Sequence, residues 1–461
     1  MLCKDQVRRM VCVDFGADAV GVCREEGMAV FVPGLLPDEE AEVRIEKRQP
    51  RYAFGRMMRL LHASPARSAP PCPAYPRCGG CACLHMDYEA SLAYKRGQVS
   101  ALLQRVGGLS VEVPPVLGME APWRYRNKGT YPIVQTPEGP KSGFFAQRSH
   151  TLIPLPEEGC RLQHPDSVIA LHTLLRWMRE VGVPAYQETT GRGLIRSLMT
   201  RVNERDEMVV TLVATKARLP QEAELIDAMR KGLPNLLGLC LLHNPKRNSA
   251  PIDGDLQVLF GSANLPMALC GFRFSIAPQA FFQINPLQTE RLYALILDFA
   301  ALRGEETVVD AYCGAGTISL MLARHAARVL GIEIIPQAIE NAEENARLNG
   351  VNNARFRCGA VEAILPALVE GGLRPEVVVL DPPRKGCELP VLDAIAASIP
   401  DRVVYVSCGA PALARDAKRL AERGYVLRRV QCVDMFCWTG DVETVALFTR
   451  QAAGVQAEAP L

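Results

Sequence analysis

Cys408 ends the apolar run VVYVSC and is followed by Gly409 and a helical stretch, PALARDAKRLAER. A thiol at such a strand-to-helix corner sits at the carboxyl edge of a sheet. The opening turn of the helix favours its thiolate, the nucleophilic form. The ordinary alternative is an inert buried thiol, since cysteine is among the most buried residue types. Glu443 stands in DVETVALF, in or next to the last apolar strand. It is either a strand-end charge in solvent or a base pointed into a pocket. Asp381 opens Asp381-Pro382-Pro383-Arg384 directly after the run VVVL. Proline there stops strand pairing and fixes an extended turn, which holds Asp381 at the edge where open α/β sheets bind ligands. A plain Asp-Pro turn is the bland alternative.

A cofactor site is suggested by VVDAYCGAGTISL, where a strand closes on Asp310 and runs through Gly314 and Gly316 into a helix. Glu333 ends the next strand, RVLGIEI, and a carboxylate there can accept both hydroxyls of a ribose. Ser319 occupies the place of the third glycine of a dinucleotide fingerprint. The pattern therefore points away from a pyrophosphate and towards S-adenosylmethionine, with a ligand-free βα turn as the alternative. A second cluster, Cys72-x5-Cys78-x2-Cys81, lies in a Pro/Gly-rich loop, with Cys160 further on. Four thiolates suit a [4Fe–4S] cluster. Zinc would also accept them, but the spacing is not the paired CxxC of zinc ribbons. Cys83 is a spare thiol that could replace one ligand.

The elements that must position these groups fall into regions. With 461 residues, the chain is long enough for about three domains. Residues 5–61 alternate as five short strands separated by turns, which predicts a small closed OB-like β-barrel. Between Arg44 and Arg59 stand six basic residues and one acid, with Tyr52 and Phe54 among them. Cations beside rings suit single-stranded nucleic acid; the alternative is a solvated barrel edge with two core aromatics. A helical pattern covers Met86 to Val106, and strands mix with helices up to about Cys270. The last 180 or so residues alternate strand and helix, which predicts a doubly wound, mostly parallel sheet. The tail after about Arg450 is expected to fray.

Composition sets outer limits. Hydrophobic residues are 48% and charged residues 22%, with a formal net charge of +2, so the chain is globular and any nucleic-acid contact must be local. The N-terminus has no apolar core or cleavage site of a secretory signal, and no stretch is long and apolar enough to span a bilayer. A cytoplasmic location is therefore expected, where the 16 cysteines would be buried thiols, metal ligands or nucleophiles rather than disulfides.

Together the segments QAFFQINPLQTERLY, DAYCGAGTISL, GIEIIPQAIENAEENARLNG, LDPPRKG, VYVSC, LARD and VETVALF resemble the RNA uracil-C5 methyltransferases. The similarity covers about residues 5–450 and is to the branch that has a TRAM domain and a [4Fe–4S] cluster and modifies 23S ribosomal RNA. It implies a Rossmann-like methyltransferase domain at 93–126 and 271–453, a TRAM barrel at 1–62, a central α+β iron–sulfur domain at 63–92 and 127–270, and a flexible tail at 454–461. By the same resemblance Cys408 is the nucleophile and Glu443 the base, with Asp381 as a third catalytic group. Gln283, Tyr312, Gly314, Gly316, Thr317, Glu333, Ala360 and Asp381 bind S-adenosylmethionine, and Gln283 and Asp381 also face the uracil. Cys72, Cys78, Cys81 and Cys160 hold the cluster. Lys47, Arg48, Arg51 and Arg56 are the expected RNA contacts of the barrel, and a monomer is expected. A helix over about 93–126 would pack back onto the catalytic domain.

Three departures stand out. Thr317 replaces an asparagine, Gly409-Ala410 replaces the Asn-Pro or Asp-Pro that usually follows the nucleophile, and Cys437-Trp438-Thr439-Gly440-Asp441 replaces a Pro-His-Thr-x-His run. None removes the groups that uracil methylation needs. A thiolate adding at C6 makes C5 electron-rich, and a carboxylate then removes the C5 proton so that the thiolate can leave. The target base must leave its stack to be reached. Competing readings are a non-catalytic iron–sulfur RNA-binding or assembly factor, the same chemistry on tRNA, and an amino-group methyltransferase. The last is disfavoured by Arg384, which stands where an aromatic residue would stack on adenine.

Overall fold

The computed structural model describes residues 2–147, 149–246 and 254–451; the tail expected at 454–461 lies outside them. The chain divides into two compact units. The first takes Met1–Gly97, Ser142–Cys160 and Phe436–Asp441, and the second takes Gln98–Lys141, Arg161–Met435 and Val442–Leu461.

In the first unit, β1 (Val7–Phe15), β2 (Val20–Glu25), β3 (Met28–Pro33), β4 (Glu40–Arg48) and β5 (Tyr52–His62) close into a barrel in the order β1-β2-β3-β5-β4. Burial alternates residue by residue along β4 and the first half of β5, as the two-residue repeat of a one-sided strand requires. Cys12, Cys23, Val30, Val32, Val43 and Ile45 fill the interior. The cysteine-rich stretch has too few apolar residues for a core of its own. Its Cys83 and Met86, with Tyr94, pack with Ala19 and Leu36 of the barrel region, so this stretch belongs to the barrel's unit. α1 (Tyr88–Arg105) follows. The helix expected to reach about residue 126 ends here, because Gly107 and Gly108 and then Pro114 and Pro115 cannot extend it.

Among the described residues the second unit holds two large sheets and a two-stranded hairpin. β6 (Lys128–Thr136) leads to β7 (Gly139–Phe145), whose later residues belong to the first unit and pair there with β8 (Leu152–Pro154). α2 (Pro165–Val181) starts with Pro165 and the His164 cap and stops at Gly182. β9 (Ile195–Val202), β10 (Met208–Ala214), α3 (Glu222–Gly232), β11 (Leu236–His243) and β12 (Asp255–Gly261) complete a sheet in the order β12-β11-β10-β9-β6. A hairpin of β13 (Leu265–Leu269) and β14 (Phe272–Ile276) leads to α4 (Pro286–Ala300).

From there strand and helix alternate: β15 (Thr307–Ala311), α5 (Thr317–Ala323), β16 (Arg328–Glu333), α6 (Pro336–Leu348), β17 (Ala354–Cys358), α7 (Val361–Glu370), β18 (Val377–Leu380), α8 (Leu389–Ser398), β19 (Arg402–Ser407), α9 (Ala410–Ala421), β20 (Tyr425–Val433) and β21 (Glu443–Arg450). The sheet order is β17-β16-β15-β18-β19-β21-β20. Its first five strands run parallel, while β21 lies antiparallel to both β19 and β20. All four residues of β18 are buried, as expected for a central strand covered on both faces. β20 is not evident from the sequence pattern. It is an edge strand whose Arg428, Arg429 and Gln431 interrupt the apolar signal, as edge strands commonly do.

Glu39 is fully buried beside the barrel, where it accepts hydrogen bonds from the Leu36 amide (2.8 Å), the Ser64 amide (3.1 Å) and Arg67 Nη2 (2.6 Å). Burial pushes its pKa up, but Arg67 and the amides outweigh it and hold the carboxyl below the ordinary range. A depressed carboxylate stabilises the fold above its unfolded pKa, and that stabilisation is lost as the pH falls through the folded value. Glu39→Gln is therefore expected to cost roughly 2–3 kcal/mol at neutral pH. In thermal melts the gap between wild type and variant should close as the pH drops below about 4.

Candidate active site

The switch point of the second sheet lies between β15 and β18, whose neighbours leave in opposite directions. The carboxyl ends of the parallel strands open a crevice at such a point, and the expected site residues lie along that edge. Tyr312 follows β15, Glu333 ends β16, Ala360 caps α7 just beyond β17, Asp381 follows β18 and Cys408 follows β19. Glu443 reaches the same edge for a different reason. β21 runs antiparallel to β19, and Thr444 pairs with Ser407, so the start of β21 lies beside the end of β19. Glu443 is buried, while Cys408 and Asp381 are half-buried.

The loop after β15 is shaped for a ligand. Gly316 has φ +80°, and a Cβ there would meet Ala342 Cβ at 3.0 Å and the Phe356 ring at 3.1 Å, while a Cβ at Gly314 would meet nothing within 4 Å. The space over Gly314 is thus open and the floor under Gly316 is closed. Glu333 braces the loop by accepting from the Gly314 amide (3.2 Å) and the Ile335 amide (3.0 Å). Thr317 opens α5, and its hydroxyl is 2.7 Å from that of the buried Tyr293. Ser319 donates to Asp310 Oδ2, while Asp310 Oδ1 is buried without a partner. An open cradle, a carboxylate at the strand end and an orphaned acceptor beneath it fit a nucleoside cofactor with a cationic sulfur.

The electrostatics single out the same residues. Burial raises Asp310 and Asp381 each to about 7. Burial first, and then the charges of Glu443 and Asp381, raise the Cys408 thiol to about 11, with Arg384 pulling the other way. One thiol and two carboxylates that influence one another at a sheet's carboxyl edge can add a nucleophile, hold a proton and accept one.

Gln283 lies in the segment before α4. Its carbonyl accepts from Asn127 Nδ2 at 2.9 Å. Asn285 caps α4 and donates to the Met435 carbonyl (3.1 Å), and Gln288 donates to the carbonyls of Leu117 (2.7 Å) and Asp434 (3.2 Å). These two amides fix the segment that carries Gln283, a role that the Asn-Pro helix start only hints at. Exposed apolar side chains at this edge also escape a reading of the sequence. Phe281 is 73% exposed and Ile334 60% exposed, one near Gln283 and the other next to Glu333. Large apolar groups left in solvent beside a polar pocket mark a surface that a partner covers.

Cys72, Cys78, Cys81 and Cys160 all fall in the first unit and are half-buried. Among the described residues, however, no group of three or more His, Cys, Asp or Glu side chains is arranged to hold a metal ion. Cys83 is fully buried, with its Sγ 3.5 Å from the Thr439 carbonyl.

On the barrel, Lys47, Arg48, Arg51 and Arg56 are all exposed. Tyr52 is 39% and Phe54 37% exposed, so neither is a core aromatic. With Phe31 they form a ring cluster on which the closest centroids, Tyr52 and Phe54, are 5.5 Å apart. Lys47 pairs with Phe54 across β4 and β5, which sets cation and ring side by side.

Comparison with known proteins places the chain among its relatives. The profile of the tRNA (uracil-5-)-methyltransferase family matches residues 255–451, and that of the TRAM domain matches residues 18–58. An uncharacterized RNA methyltransferase of Halalkalibacterium halodurans is 40% identical over 446 residues, 96% of this chain and 97% of its own length. Another from Listeria innocua is 40% identical over 450 residues, 97% of this chain and 99% of its own. The crystal structure of the Pyrococcus abyssi tRNA (uracil-54, C5)-methyltransferase in complex with S-adenosyl-L-homocysteine shares the fold. Its TM-score is 0.76 at 24% identity, over 96% of this chain and 99% of that one. Among the described residues no helix is long and apolar enough to cross a membrane. The chain belongs to the tRNA (uracil-5-)-methyltransferase family, carries a TRAM domain, and is an RNA methyltransferase.

Proposed function

We propose that this protein methylates C5 of a uracil in RNA, with Cys408 as nucleophile and Glu443 as base. The observation that carries the reading is the antiparallel pairing of β21 with β19, which sets Glu443 and Cys408 side by side at the cofactor edge. S-adenosylmethionine, when bound, supplies the methyl group. Gly314 and Gly316 would give it room, Glu333 would take its ribose, and Gln283, Tyr312, Thr317 and Ala360 would line the remainder. Cys408 ionises, its proton passing to solvent; the thiolate adds to C6, and the C5–C6 π electrons move through C4 onto its carbonyl oxygen. C5 takes the methyl group, Glu443 takes the C5 proton, and the Cys408–C6 bond breaks as the double bond returns. With its pKa near 7, Asp381 can carry a proton at neutral pH and donate a hydrogen bond where the enolate charge develops.

Large-subunit 23S ribosomal RNA is the substrate we propose, on the family resemblance. The family's name and the solved archaeal relative favour tRNA as the second reading. Fluorine at C5 cannot be abstracted as a proton. RNA made with 5-fluorouridine, given S-adenosylmethionine, should therefore trap the wild-type protein as a covalent adduct on a denaturing gel, and Cys408→Ala should abolish it. Glu443→Gln should accumulate adduct on unsubstituted RNA. Trapping on 23S fragments or on a tRNA pool selects the substrate, and no adduct on either would overturn the proposal.

The exposed basic face of the barrel would bind the RNA backbone beside bases stacked on Tyr52 and Phe54. Replacing Lys47, Arg48, Arg51 and Arg56 with glutamine should weaken binding and flatten the salt dependence of log K by about 0.7 for each phosphate no longer neutralised. An unchanged slope would place the RNA elsewhere.

A [4Fe–4S] cluster on Cys72, Cys78, Cys81 and Cys160 is a separate proposal, supported by the thiol spacing and by the four residues sharing one unit. Protein purified without oxygen should contain iron and acid-labile sulfide that Cys78→Ser removes. Colourless wild-type protein with four alkylatable thiols at these positions would reject the cluster.

A further inference from the structure

Asp416 is a fully buried carboxylate that the methyl transfer does not use. It lies on the inner face of α9, the helix that follows Cys408. Its Oδ2 accepts from the Cys387 amide (2.8 Å), the Tyr405 hydroxyl (2.8 Å) and Arg415 Nη2 (3.1 Å). Its Oδ1 accepts from Arg415 Nε (2.9 Å) and Arg419 Nη1 (3.2 Å). Arg415 Nη2 also donates to the Lys385 carbonyl (2.7 Å). Tyr405 belongs to β19, three residues before the nucleophile, while Lys385 and Cys387 belong to the loop that begins at Asp381. One carboxylate therefore ties the nucleophile's strand and helix to the Asp381 loop.

The backbone is fitted to this tie. Gly386 has φ +79°, and a Cβ there would lie 2.3 Å from Asp416 Oδ2 and 2.5 Å from Arg415 Nη2. Only glycine lets the loop close on the carboxylate. Burial raises the Cys387 thiol to about 12, so it stays a neutral S–H beside this network. The Tyr405 hydroxyl, the Cys387 amide, Arg415 and Arg419 thus converge on one buried carboxylate. Such networks fix geometry when every member is satisfied.

We propose that Asp416 is a positioning residue, which through the Tyr405 hydroxyl and the Cys387 amide sets Cys408 and the Asp381 loop in register with each other. The inference rests on the uracil-C5 reading above. It is tested in the full-length protein with Asp416→Asn, which keeps an acceptor but loses the charge facing Arg415 and Arg419, and with Tyr405→Phe, which removes one hydroxyl. The readouts are the single-turnover rate of adduct formation on 5-fluorouridine RNA, KM for that RNA, affinity for S-adenosylhomocysteine, and the melting temperature. Misplacement of a reacting group by about 1 Å can cost on the order of a hundredfold in rate. Asp416→Asn is expected to slow adduct formation by about tenfold to a hundredfold, and Tyr405→Phe by less. KM and S-adenosylhomocysteine affinity should stay within about twofold of wild type. Lower melting temperatures with wild-type adduct rates would make the network purely structural and overturn the proposal. If Asp416→Asn does not fold, Tyr405→Phe decides by the same criterion. A wild-type protein that forms no adduct would instead sink the reaction itself.

Discussion

One strand direction governs the site. In a sheet of parallel strands, every carboxyl end lies on one edge and every amino end on the other, so a residue that begins a strand is far from one that ends its neighbour. β21 breaks this rule. By running antiparallel to β19, it brings its first residue, Glu443, to the edge where β19 delivers Cys408. β20 then closes that side, antiparallel again, with Val433 paired to Glu443. A buried acid beside a half-buried thiol is a consequence of topology. No local sequence preference at either residue creates it.

The same closeness has an electrostatic consequence. Burial above all, and then the charges of Glu443 and Asp381, push the Cys408 proton towards being kept. A resting thiol is thereby held neutral, which protects it from adventitious oxidation and metal capture. Arg384 acts in the other direction, and it is carried by the loop that Asp416 clamps. Where that loop sits therefore bears both on the geometry of attack and on how readily the thiol ionises.

The parts of this arrangement differ in legibility. Strands such as VVVL and VVYVS declare themselves because central strands are apolar on both faces, and the barrel strands do so through their two-residue alternation. The corner residues Asp381 and Cys408 follow directly from those runs. Glu443 does not, because its meaning depends on the direction of β21, and periodicity carries no direction. β20 is hidden by the polar residues that an edge strand tolerates. Asp416 is equally invisible in isolation, since LARDAKRLA reads as an amphipathic helix and only the packed structure turns one acid inward. The aromatics of the barrel stay ambiguous between core and surface until the register of β4 on β5 places Phe54 opposite Lys47.

The departures from the family pattern also acquire physical content. A Cβ at residue 409 would stand 3.1 Å from the Arg384 carbonyl, so the turn after Cys408 and the Asp381 loop are in close contact. An asparagine there would have to push against backbone, and glycine removes the conflict. Further on, the carbonyl of Trp438 accepts from the amides of Ala82 (2.8 Å) and Cys83 (3.1 Å), and its ring lies 5.2 Å from that of Tyr88. Cys437 lies 3.6 Å from the Tyr88 hydroxyl, and Lys95 donates to the Phe436 carbonyl at 3.0 Å. The substituted run is thus anchored to the cysteine-rich segment and α1 within the first unit, and the chain reaches Glu443 two residues after leaving it. The replacement at 437–441 therefore has its packing partners within the first unit, and it leaves Glu443 in place.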